Sequence, residues 1–202
     1  MTSALAWLVQ PPAPVPDGVR ASDVGPTAWQ VLLHEGALHP VWGAVATPAD
    51  RSPTPAVRAT ALRPLVPPRA VVGRAAAVWV HTGGPLPDRF DVLVEPRARR
   101  PSPHPLRVPH EVPLPDGDVV RLGDVRATTV LRTALDLARW LPEHESVPLL
   151  VRLVDHAGLD VTAALHALGG QPGQRYAERA RATLLRMLRP PGATGGRAGR
   201  PP

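Results

Sequence analysis

Hydrophobic residues recur along this chain at two different spacings. Between 90 and 95, Phe90, Val92 and Val94 alternate with Asp91, Leu93 and Glu95, a two-residue period that predicts a strand. Strand-like runs follow at 106–112, 119–122 and 125–128, with Pro115-Asp116-Gly117-Asp118 as a turn. From Thr129 the period becomes helical, predicting helices at 129–141, 143–157, 161–168 and 174–188. β-branched residues give way there to recurring Ala and Leu, so strand 125–128 should run straight into its helix and bury Leu131, Leu135 and Ala138.

Upstream, 53–65 and 73–81 read as two helices parted by Pro67-Pro68, the second rich in Ala and carrying Trp79. Nearer the N-terminus, Ser22 can cap a brief helical turn, and Gly25-Pro26-Thr27 breaks it. Thr27 can cap a second helix over 28–34, ended by Gly36, and 37–46 reads as strand, turn, strand. Helix, turn, helix and β-wing is the outline of a winged helix-turn-helix. The predicted fold is α+β: a winged-helix-like segment over 18–48, then over 49–189 a mixed sheet with helices gathered toward the C-terminus. Residues 1–17 read as an extension with a Pro-rich linker. The stretch 190–202 holds no apolar residue larger than Ala apart from Pro, so it cannot repay the entropy of ordering and is expected to be disordered.

Composition changes what the charge means. The 202 residues include 28 Pro, 17 Gly, five Trp, one Tyr, one Phe and no Cys. There is no Lys, Asn or Ile, so all 23 basic residues are Arg, which a GC-rich genome explains simply. The net charge is only +6, modest for a nucleic-acid binder. Without Cys there is no disulfide scaffold, thiolate zinc site or Cys nucleophile. No apolar run approaches the roughly 18 residues of a membrane span, and the N-terminus lacks a signal peptide's basic region, so a cytoplasmic protein is expected.

Val125-Arg126-Ala127-Thr128-Thr129-Val130-Leu131-Arg132-Thr133-Ala134-Leu135-Asp136-Leu137-Ala138-Arg139 resembles the strand-to-helix signature of actinobacterial AbiEi-type proteins, antitoxins and transcriptional regulators of type IV toxin–antitoxin systems. The segment 18–46 is similar to that family's N-terminal winged helix, with Glu35-Gly36-Ala37-Leu38 at its helix end and Trp42-Gly43-Ala44-Val45 at its wing. The run 71–81 resembles the Ala-rich helix that opens the second domain, and 149–168 and 173–188 its closing helices. The resemblance implies a non-enzymatic regulator that binds promoter DNA and represses its own operon, with a nucleotidyltransferase-like toxin as genetic partner and no cofactor. It also implies that Arg132 and Asp136 fix their helix against the sheet. Spacing alone makes that pair a surface ladder with Arg139.

The charge is unevenly placed for such a role. Residues 1–50 carry a net −3, 51–110 a net +7 and 111–202 a net +2. DNA contacts in the first segment would fall to Thr27, Trp29, Gln30 and His34 on the second helix and His39 on the wing. Phosphate contacts would fall to Arg97, Arg99 and Arg100, which with Arg107 form the densest basic group, in a Pro-rich loop. The same residues also fit a solvated loop, and the acidic first segment fits a degenerate winged helix that docks on protein. Arg175, Arg179 and Arg186 lie on a basic face of the last helix, which also reads as its wet side. A metal-dependent nuclease built on Asp88 and Glu95 is a third reading, opposed by the missing Lys and by the short spacing. None of the eight His residues falls in a metal-binding spacing, so no metal site is expected.

Overall fold

The computed structural model describes residues 15–98, 101–169 and 176–188, so most of the predicted extension and tail, and Arg99, Arg100 and Arg175, lie outside it. The chain is α+β, with two sheets. The first unit comprises β1 (Val19–Arg20), α1 (Ala21–Val24), α2 (Pro26–His34), β2 (Leu38–Trp42) and β3 (Val45–Pro48). Its strands are antiparallel in the order β1-β3-β2. Two predicted caps are corrected. At α1 it is Asp23, not Ser22, that accepts from a free backbone N–H, that of Arg20 at 2.9 Å. At α2 the N-cap is Gly25, at φ +81°, and the helix begins at Pro26 rather than after Thr27. Proline takes the first helical position because its φ is preset and its missing N–H would be unpaired there anyway. Thr27 is thereby moved into the first turn, with its side chain exposed.

The second unit opens with α3 (Pro55–Ala61), capped by Thr54, and a short 3-10 turn at Arg63–Leu65, where the sequence pattern predicts one helix across 53–65. A five-stranded sheet follows, in the order β6-β5-β4-β8-β7. Its strands are β4 (Val71–Val72), β5 (Phe90–Val94), β6 (Arg107–Glu111), β7 (Val119–Leu122) and β8 (Val125–Thr128). Strand β4 lies parallel to β8 and antiparallel to β5, and β5 lies parallel to β6. Residues 71–72, which resemble the start of an Ala-rich helix, are thus a central strand, and α4 (Arg74–Thr82) starts after them. Gly73 stands between strand and helix, and its lack of a side chain is required there, since a Cβ would stand 2.6 Å from Leu93.

One sheet face, through Val72, Val92, Val125 and Ala127, packs on Val57, Leu62, Ala76 and Val80 of the α3 and α4 region. The other face, through Val71 and Leu93, is covered by Leu114. Outside α4 lies a helical layer of α5 (Val130–Trp140), α6 (Glu143–Ala157), α7 (Val161–Gly169) and α8 (Ala177–Met187), meeting at Leu137, Leu150, Leu153 and Leu184. Strand β8 does run straight into α5, and Leu135 and Ala138 are buried as expected. Leu131 is not: it is 38% exposed, because it lies in the first turn, ahead of the stretch that α4, α6 and α8 cover.

Candidate nucleic-acid interface

Helix α2 has a committed face and an uncommitted one. Trp29, with Leu32 and Leu33, packs toward Leu38 and Ala46 to make the small core of the first unit. At 7% exposure Trp29 is a core residue, which corrects its place among the DNA contacts: a Trp this large in a unit this small is needed for burial. Thr27, Gln30, Val31 and His34 lie opposite, at positions i, i+3, i+4 and i+7, and all four are exposed. This stripe presents a hydroxyl, an amide, an isopropyl group and an imidazole, with no Arg among them. His39 is exposed on β2, opposite Thr47 of β3.

The turn between β2 and β3 is a docking element. The Trp42 ring meets Phe90 of β5 edge-on, with centroids 5.1 Å apart, and Trp79 approaches the same Phe90 at 6.3 Å. Val45 belongs to the core that contains Val57, Leu62 and Phe90. Trp42 and Val45, at either end of the turn, are therefore directed into the second unit, and only Gly43 and Ala44 stay exposed between them.

The positive charge collects elsewhere than the sequence suggests. A groove between the Pro67-Pro68-Arg69-Ala70 loop and the turn joining β7 to β8 is lined by Arg63, Arg69, Arg121 and Arg126, with Asp124 as its only acid. Asp124 is already engaged, by Arg20 at 3.3 Å and by the Thr60 hydroxyl at 3.1 Å. Among the described residues none of the four groove arginines forms an ion pair. Arg63, Arg121 and Arg126 each donate one N–H to a backbone carbonyl, at 3.2 Å, which leaves most of each guanidinium's five donors for a ligand. Arg69 holds the left-handed conformation, φ +66°, uncommon for a residue with a Cβ. Through Arg20, which precedes α1, the groove borders the first unit.

Linear density could not find this groove, because its four arginines are spread over 63–126 and meet only through the strand order. Of the basic group that sequence density favours, Arg97 and Arg107 are among the described residues. Arg97 is exposed and left-handed, φ +66°, beside a neighbouring cleft that also holds Arg69 and Glu95. Arg107 is spent on the fold, donating to the carbonyls of Leu65 and Ser102. On α8, Arg179 donates to the Leu141 carbonyl and Arg186 pairs with Glu143, so that basic face is partly committed as well.

Arg132 and Asp136 come together, and not as a surface ladder. Arg132 Nε donates to both carboxylate oxygens of Asp136 at 3.0 Å, while its Nη atoms reach Asp118 and the Pro113 carbonyl. Asp136 is 3% exposed. Burial opposes charge on both partners, raising the Asp136 carboxyl and pulling down the guanidinium. For Arg132 the carboxylates of Asp136 and Asp118 outweigh burial and hold its pKa above the ordinary value. It ties α5 to the segment that covers the sheet.

Asp88 precedes β5 and Glu95 follows it, so about 16 Å of extended strand separates them and one cation cannot bridge both. Among the described residues no three His, Asp or Glu side chains cluster as metal ligands would, and no helix is long and apolar enough to cross a membrane. No family model matches the chain, and no curated protein matches it in sequence.

Proposed function

We propose that this chain is a DNA-binding transcriptional regulator of the antitoxin kind its AbiEi-like motifs imply, a cytoplasmic repressor of its own operon with a nucleotidyltransferase-like toxin as genetic partner. The observation that carries the reading is the outward stripe of α2. Thr27, Gln30 and His34 share one helix face, are all exposed, and follow a short helix across a single-residue turn. A helix so placed, in a unit whose strands run β1-β3-β2, fits insertion into a major groove. The stripe brings no cation, so affinity must come from the groove of Arg63, Arg69, Arg121 and Arg126.

A mobility-shift titration of the full chain with the DNA upstream of its own gene, at two salt concentrations, tests this. Replacing the four groove arginines with Gln weakens binding to all duplexes alike and flattens the salt dependence by about 0.9 for each phosphate no longer neutralised. Gln30→Ala instead reduces discrimination between sites, by about 1 to 3 kcal/mol. A quadruple variant that binds with an unchanged salt slope removes the groove from the interface. The missing cation on α2, together with exposed Val24 and Val31, favours a second reading, a protein-interaction module. If no specific complex forms even at low salt, that reading takes its place.

A further inference from the structure

The chemistry of the α2 stripe is narrower than that of a generic DNA-reading helix. In the helix-turn-helix docking mode the N-terminal residues of the second helix reach base edges while its later residues drift toward the backbone. Thr27 stands in that first turn, Gln30 and Val31 follow one turn on at the middle of the nine-residue helix, and His34 is its last residue. Guanine offers two acceptors, O6 and N7, and is read chiefly by the twin donors of a guanidinium or by an ammonium. The stripe has neither. The carboxamide of Gln30 carries one donor and one acceptor side by side, the complement of adenine N7 and N6–H. Next to it the Val31 side chain is 47% exposed and stands outside the apolar cluster that Trp29 centres, and the small Ala28 beside it is exposed as well. An isopropyl group in a major groove has one apolar feature to meet, the thymine 5-methyl group.

From this juxtaposition we infer that α2 reads A·T pairs, with Gln30 bonded to the major-groove edge of an adenine and Val31 packed on the methyl group of a neighbouring thymine. The inference rests on the DNA-binding reading above and assigns it a base class. The groove arginines act on phosphates, so they add affinity for every sequence and leave the choice of base to these two side chains.

The test begins with the full chain and a pool of duplexes carrying a randomised 20-base-pair core, from which bound sequences are selected through several rounds. In the selected duplex each thymine is then replaced in turn by deoxyuridine, and each adenine by 7-deazaadenine, which lacks the N7 acceptor. The expected result is a selected site with A·T pairs at its core. One deoxyuridine there weakens wild-type binding about three- to fourfold, the worth of one methyl group, and leaves Val31→Ala binding unchanged. One 7-deazaadenine weakens wild-type binding roughly fivefold or more, and Gln30→Ala is indifferent to it. Both side chains are solvent-exposed, and matched thermal melts of the variants confirm that the fold is kept. A selected site with G·C pairs at its core, or one in which neither base analogue changes the affinity, overturns the inference while leaving the regulator reading intact. If no sequence is enriched and no duplex is retained, the regulator reading falls and takes the inference with it.

Discussion

His81 sits where a charge is expensive. Its Nε2 lies 2.8 Å from the Thr128 carbonyl, which fixes that nitrogen as the donor, and the neutral ring satisfies this contact. Burial lowers its pKa below the ordinary value of 6.5, the nearby Arg58 lowers it further, and the Thr128 carbonyl opposes both. The unfolded chain therefore takes up the proton first. Stability is complete above about pH 6.5 and falls as the pH drops toward the folded-state pKa. Urea melts between pH 7.5 and 5 should show this slope in the wild type and a shallower one in His81→Gln, whose amide keeps a donor for Thr128. Arg58 beside it donates to the carbonyls of Val80, His81 and Pro53, closing the end of α4. Neither role is legible in the sequence, since both partners are backbone atoms more than twenty residues away or fixed by a loop. The i, i+4 spacing of Arg132 and Asp136 is legible, but its burial is not, because burial depends on the 112–118 segment folding over it. Asp136→Ala should cost about 1.5 to 3 kcal/mol in a urea melt, since Arg132 loses both Nε bonds while keeping Asp118 and the Pro113 carbonyl. Adding Arg132→Met should recover part of that loss.

At the scale of elements, the joint between β8 and α5 is the best-specified local structure in the chain. Thr129 caps α5 by accepting from the Arg132 N–H at 3.2 Å, and the Thr133 hydroxyl bonds to Thr128 at 2.7 Å. Thr129→Ala should lower stability by about 1 kcal/mol, read as a shift in denaturant midpoint with an unchanged slope. This joint can be read from sequence because the change of period falls at Thr129 and two of the three expected core positions, Leu135 and Ala138, are buried. Strand β4 cannot: a two-residue strand has no period, and the Ala-rich run after it extends a helical pattern backwards over Val71 and Val72. The α2 stripe is legible apart from Trp29. A large residue with a polar tip suits a DNA-reading face, but a nine-residue helix needs an apolar anchor more, and Trp29 is that anchor.

The molecule as a whole is joined through its β2–β3 turn. Trp42 and Val45 share a core with α3, α4 and β5, so the first unit has no boundary across which it can melt alone. Calorimetry should show one transition whose van't Hoff and calorimetric enthalpies agree. Trp42→Ala should split or broaden it while leaving the helical layer around Leu150 and Leu153 protected from hydrogen exchange. The arginine-lined groove belongs to this scale too, since its arginines come from two stretches of chain, 63–69 and 121–126, that the strand order brings together.

The inward-turned β2–β3 turn also bears on how such a protein diverges. Residues 42 and 45 are packed against the second unit, and a change there disturbs Phe90 and Val57, whereas residues 27, 30, 31 and 34 are exposed and stand outside the apolar clusters of the described residues. Substitutions at those four sites carry a small thermodynamic cost, as surface substitutions generally do. A lineage can therefore exchange the side chains that α2 presents one at a time, while the turn stays tied to the scaffold it packs against.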